Sequence, residues 1–264
     1  MRFMRGFSLV ELSIVLVILG LLTGGILTGQ SLIRAAELRA VTTEFQRYQS
    51  ATNTFRDKYF ALPGDMRNAT DFWGIAAGST GNDTTCFTAS GTGTATCNGD
   101  GNGIIDQASR NEMYRYWEQL ANAGLIEGTY SGITGPGHAS SHVVPGENAP
   151  VSKLSPGGWM VWGSNDYAGD AEWFAGQYGN NLSIGAPQSN FWTHDPLMRA
   201  EEAWNIDTKM DDGRAGTGSV WALHWDTCTD AATNGSTTIT DKTNASYILT
   251  DESIQCALVF TNTF

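Results

Sequence analysis

The sequence is short of charge, and of positive charge above all. Only 16% of its residues are charged, and 15 Lys and Arg stand against 27 Asp and Glu, for a net charge of −12. This argues against nucleic acid as the main partner, because phosphate binding needs a concentration of cations. Runs of like charge are missing too; the acids are scattered, as on a solvated surface. Proline is scarce, and none falls between Gly20 and Ile33. No pair among the four cysteines has C-x-x-C spacing, which argues against a zinc or redox motif. There is no H-E-x-x-H, no G-x-S-x-G elbow, no G-x-x-x-x-G-K-[ST] phosphate loop and no dinucleotide fingerprint. His138, His142, His194 and His224 show no ligand spacing, although His138 and His142 share a Gly/Ser loop. The sequence makes no case for an enzyme.

What is present begins at the N-terminus. From Phe7 to Ile33 the chain is apolar, with Glu11 as its one ionisable residue, Arg2 and Arg5 before it and Arg34 at its end. As a helix this stretch is about 40 Å long, enough to cross a bilayer. The basic leader predicts a cytoplasmic N-terminus. A cleaved secretory signal is the rival reading, with small residues at Thr23-Gly24-Gly25. Glu11 speaks against it, since an acid in an apolar core costs about 2.5–3.5 kcal/mol at a helix centre, less near an end.

Gly6-Phe7-Ser8-Leu9-Val10-Glu11-Leu12 resembles the prepilin motif of type IV pilins and type II secretion pseudopilins. The resemblance implies cleavage between Gly6 and Phe7 by a prepilin peptidase, which also methylates the new N-terminus. It implies that Glu11 pairs with the freed amine of Phe7 on a neighbouring subunit, so that only the correct axial stagger neutralises both charges. The implied partners are other pilin or pseudopilin subunits and an inner-membrane assembly platform with its motor ATPase. The implied location is the inner membrane with the head in the periplasm, then a periplasmic pseudopilus or a surface pilus. Many type IV pilins carry a proline in the second half of this segment; its absence here leans toward pseudopilins.

After Gln30 the pattern becomes amphipathic. Leu38, Val41, Phe45, Tyr48, Thr52, Phe55 and Tyr59 recur at alternating spacings of three and four, predicting a helix with one apolar stripe. Glu37, Arg39, Glu44, Arg47, Arg56 and Asp57 are expected on its other faces, and Leu62-Pro63-Gly64-Asp65 is expected to stop it. The expected organisation is a leader at 1–6, a transmembrane or filament-core helix at 7–33, its amphipathic continuation at 34–60 and a head at 61–264. The fold class is α+β, a long helix packed on an antiparallel sheet with a large loop-rich head. Residues 112–126 read as a second helix with Met113, Tyr116, Trp117 and Leu120 on one face. Strands are expected at 158–163, 219–225, 246–250 and 257–261.

Two features of the head point to chemistry. Against an EF-hand-type loop, Asn98, Asp100 and Asn102 take the first, third and fifth positions. Gly103 takes the sharp turn, Ile104 offers its carbonyl, Ile105 is the apolar eighth residue and Asp106 the ninth. The twelfth is Ser109, with Glu112 as the substitute acid, and Ca2+ is the expected ion. Asp207, Asp211 and Asp212 form a second acidic group, read as a helix end with Gly213 as the stop, a second cation site being the alternative. An export signal favours disulfides. Of the three connectivities, Cys86–Cys97 with Cys228–Cys256 is preferred because each loop closes locally. Most of the tryptophans lie between Trp159 and Trp225; core packing is the expected role, and a tip adhesin stacking sugars on exposed rings is the alternative.

Overall fold

The computed structural model describes residues 8–82, 84–91, 93–106, 111–136, 141–170, 172–224, 227–231 and 242–264. Helix α1 spans Leu9–Tyr59 without a break. No residue of its apolar half from Leu9 to Ile33 is buried. The second half enters the head, and Val41, Tyr48, Thr52 and Phe55 of the expected stripe are buried there. Arg34 marks the entry. Its Nε and Nη2 donate to the two carboxylate oxygens of Glu202, each at 2.7 Å. The helix ends where Phe60 adopts a left-handed conformation, φ 55°, its N–H returning to the carbonyl of Arg56.

The sheet is antiparallel and has five strands: β1 Gly158–Ser164, β2 Gly179–Gly185, β3 Met198–Arg199, β4 Val220–His224 and β5 Ile254–Phe260. β5 is central. β4 takes one of its edges from Cys256 to Phe260. The other edge is shared, β2 pairing with Leu258–Phe260 and β3 with Ile254 and Cys256. Helix α2 covers Ala69–Trp73, α3 Glu112–Asn122 and α4 Ala200–Met210. Period-2 alternation turns Trp159 and Phe260 to one face, where they meet α1. Phe45 stacks on Phe260 at 4.3 Å and Tyr48 meets Trp159 edge-on at 5.5 Å. On the opposite face Trp162 packs with Trp173, Tyr178 and Trp192 from the 165–195 segment.

Three sequence expectations change. Glu44 does not lie on an outer face. It is buried, its Oε2 accepting from Ser152 Oγ (2.7 Å) and Trp159 Nε1 (2.8 Å), its Oε1 from the N–H of Lys153 (2.9 Å). Three donors converging on one carboxylate offset its loss of water. Residues 246–250 form no strand; Tyr247 makes a single bridge to Thr229 before the chain turns. β2 and β3 were not foreseen, and of α4 only the end was. GNNLSIG carries only two large apolar residues, Leu182 and Ile184, and is a strand because β1 and β5 flank it. Both disulfides close locally, Cys86 to Cys97 and Cys228 to Cys256.

Glu44→Ala leaves Ser152, Lys153 and Trp159 without their acceptor. A cost of about 3 kcal/mol is expected, which lowers the thermal midpoint of the detergent-solubilised chain by roughly 6–12 °C. Glu44→Gln, which keeps an acceptor oxygen, should recover part of the loss in the same melting experiment.

Candidate functional site

The first candidate is the start of α1. Gly6 and Phe7 lie outside the described residues. Ser8 caps the helix: its Oγ accepts from the N–H of Val10 (3.3 Å), while Glu11 Oε2 accepts from the N–H of Ser8 (2.8 Å). This capping box aims the one acid of the apolar half at the helix N-terminus, where the helix dipole favours negative charge.

The second candidate lies where α1 ends. Asp65 follows the helix, Asp100 sits in the 98–106 loop and Glu112 opens α3; one carboxylate oxygen from each lies within 4.8 Å of the others. Two glycines make this approach possible. Gly64 has φ +84°, and a Cβ there would stand 2.4 Å from the carbonyl oxygen of Glu112. A Cβ on Gly99 would stand 2.3 Å from Asp65 Cα. Asp65 then gathers the loop: its Oδ1 accepts from the N–H groups of Gly101 (2.5 Å) and Asn102 (3.1 Å), its Oδ2 from that of Gly103 (2.9 Å). Glu112 accepts from the N–H groups of Asp100 (2.8 Å) and Asp106 (3.3 Å).

The electrostatics are unusual for three acids. Among the described residues none of them forms an ion pair. Arg67 is close, but its guanidinium donates to the carbonyls of Asp100 (2.6 Å) and Gly101 (3.3 Å). Burial pushes the Glu112 carboxyl up to about 9; the N–H of Asp100 opposes this, and the charges of Asp65 and Asp100 add to it. Asp65 is raised as well, by burial working against the loop N–H groups. Hard carboxylate oxygens on a turn are the donor set that calcium takes.

The structure brings Asp100 and Glu112 of the expected ligand set together and adds Asp65, which sequence reading had used only as a helix stop. Nothing in spacing could have flagged it, since the turn and the loop meet only through tertiary packing. Asn98 is engaged elsewhere, its Oδ1 accepting from the N–H of Thr70 (2.8 Å) and its Nδ2 donating to Asn82 (3.0 Å). Asn102 Oδ1 accepts from the N–H of Ile104 (2.7 Å). Asp106 meets Glu112 through its backbone N–H. Ser109 lies outside the described residues.

The acids after α4 work as turn ties. Asp207 is buried, accepting from Gly213 N–H (3.1 Å) and from the Tyr247 hydroxyl (2.9 Å). Asp211 accepts from Ser219 and Val220 N–H, and Asp212 from Arg214 N–H and the Thr217 hydroxyl. Gly213, at φ +73°, follows the helix end. His142 Nδ1 lies 2.6 Å from the carbonyl of Pro136, and His138 is outside the described residues. His194 pairs with Glu172 at 3.0 Å beneath the aromatic layer.

Residues 1–27 match the family described as the prokaryotic N-terminal methylation motif, the signature of type IV prepilins and pseudopilins. No curated protein and no solved structure matches the chain. The motif supports a type IV pilin- or pseudopilin-like precursor. It implies processing by prepilin peptidase and assembly with other pilin subunits.

The raised carboxyl of Glu112 has a pH signature. Between about 4.5 and 9 the folded state holds a proton there that the unfolded chain has released, so stability falls as pH rises. Asp207, raised by burial to about 7, contributes in the same direction at lower pH. In chelator, the midpoint of the wild-type chain should decline from pH 6 to pH 9, and Glu112→Gln should flatten the upper part of that decline. Parallel curves would exclude a buried, protonated Glu112.

Proposed function

We propose that this chain is a structural subunit of a type IV pilus or a type II secretion pseudopilus, cleaved after Gly6 and held in the filament by α1. The observation that carries this reading is the motif at 1–27 running straight into a continuous helix whose apolar half is bare. An uncovered apolar rod of about 37 Å suits lipid before assembly and the rods of sister subunits after it. Arg2 and Arg5 keep the leader in the cytoplasm, and the head stands in the periplasm. The assembly platform of the inner membrane then moves the processed chain into the filament.

Glu11 is the selective element. In the single chain its carboxylate has the Ser8 N–H as a donor. In the filament the amine freed at Phe7 of a neighbour supplies the opposite charge, and a wrong stagger leaves both groups unpaired in apolar surroundings. Asp65, Asp100 and Glu112 hold calcium, supported by the convergence of three carboxylates with no ion pair among the described residues. The ion ties the turn after α1 to the start of α3. The described tryptophans are buried or half-buried, which favours the subunit reading over a glycan-stacking tip.

Glu11→Ala should leave the mature N-terminal mass intact while incorporation into filaments falls by roughly tenfold or more, the effect of at least ~1.4 kcal/mol. Normal filaments made from that variant alone would exclude the charge pair. Gly6→Leu should retain the leader, read as the unprocessed mass. Calcium at about 100 times its Kd should add ~2.7 kcal/mol, raising the thermal midpoint by about 5–10 °C over chelator. Asp65→Asn with Asp100→Asn should abolish that difference; a wild-type midpoint indifferent to chelator removes calcium from the proposal.

A further inference from the structure

Where α1 enters the head, two open grooves flank it. One, of about 650 Å³, follows the helix face that carries Leu32, Ala35, Ala36 and Arg39, with Lys153 across from them. The other, of about 240 Å³, lies between α1 and α4 and is lined by Leu38, Arg39 and Lys209 among others. Arg39 belongs to both, with Lys153 across one groove and Lys209 across the other. All three are exposed, and among the described residues none of them forms an ion pair. Every acid that lines the two grooves is already engaged. Glu44 holds three donors, Glu127 lies 3.8 Å from Arg47, and Glu202 accepts twice from the Arg34 guanidinium. Three unpaired cations thus share two adjacent grooves in a chain whose net charge is −12.

Their height along the helix matters. Arg39 lies about 9 Å beyond Ile33, the last residue of the apolar run, at ~1.5 Å per residue. The polar headgroup layer of a bilayer is about 5–8 Å thick on each side. Long cationic side chains reach back toward that layer while their stems lie along apolar surface. The wider groove changes character at the same boundary. Leu32, Ala35 and Ala36 line its start, and Arg39 and Lys153 follow. Apolar surface below and positive charge above is the order that matches acyl chain and phosphate in a phospholipid.

We propose that Arg39, Lys153 and Lys209 form a site for the headgroup phosphate of an anionic phospholipid in the membrane-held chain. The proposal rests on the reading of α1 as a membrane segment before assembly, and it adds the class of lipid that the head selects. A zwitterionic headgroup brings an ammonium group for which these grooves hold no unengaged acid, whereas an anionic one brings only the charge they lack. Lipid is the occupant, rather than an acidic protein surface, because the cations start less than two turns above the apolar run and an apolar groove leads up to them.

The test uses the full chain with Arg2 and Arg5 replaced by Gln, so that leader cations recruit no lipid. This parent chain is reconstituted in phosphatidylcholine vesicles holding a trace of spin-labelled phosphatidylglycerol or spin-labelled phosphatidylcholine. The immobilised fraction of each label gives the preference between the two lipids. The parent should favour phosphatidylglycerol by about fivefold or more. The preference should fall toward unity in about 1 M salt, where the Debye length is ~3 Å. Arg39→Gln, Lys153→Gln and Lys209→Gln should each lower it by roughly twofold to fivefold, and the triple variant should abolish it. Arg56→Gln with Lys58→Gln removes two exposed cations at the far end of α1 and should leave it unchanged, with the parent's melting midpoint as the check on folding in every variant. Soluble glycerol phosphate should not displace the label; displacement makes this a site for free phosphate and overturns the lipid. A parent with no preference, or a triple variant that keeps it, overturns the site and leaves the filament reading intact. No preference together with failed assembly of the triple variant gives the cations to an acidic protein surface instead. A parent chain that alkaline carbonate strips from the vesicles overturns the membrane reading, and this site with it.

Discussion

The seating of the second half of α1 on the sheet governs the rest of the molecule. Phe45, Tyr48 and Phe55 enter the core as rings, and Glu44, one residue away from Phe45, enters as a charge. The rings supply apolar area without direction. The carboxylate supplies direction, because Ser152, Lys153 and Trp159 must all point at it. With that register set, Arg34 meets Glu202 at one end of the head, and the turn holding Asp65 reaches the 98–106 loop at the other.

The head buries few long aliphatics and many polar groups, and the two facts are related. Where loops rather than strands pack together, backbone groups need partners that a sheet would otherwise provide. Buried side chains take that part here. Arg115 donates to the carbonyls of Cys86 and Ala89 while pairing with Glu118, whose carboxyl burial raises and Arg115 lowers in turn. Asp207 and Glu112 do the same for their own turns. The rings of the outer layer, Trp162, Trp173 and Trp192 among them, cover the second face of the sheet with the least chain.

Elements with strong periodicity were legible in advance: α1, the core of α3 and the strands around Trp159–Trp162 and Val220–Leu223. Those without it were not. β2 has alternation too short to register, α4 was seen only at its last turn, and 246–250 has strand composition but lies where a bridge and a turn form instead. Asp100 and Glu112 were singled out from loop spacing, whereas Asp65 was hidden, because a ligand from a distant turn has no local pattern.

The sequence by itself determined the prepilin signature, the bare apolar rod with its single acid and the amphipathic continuation, because each is written in consecutive residues at a helical period or as a contiguous motif. Only the tertiary structure decided the buried role of Glu44, the meeting of Asp65 with Asp100 and Glu112, and the pairing of Arg34 with Glu202. Those depend on which segments glycine turns and sheet pairing bring together, and contacts between residues far apart in the chain leave no periodic trace in it.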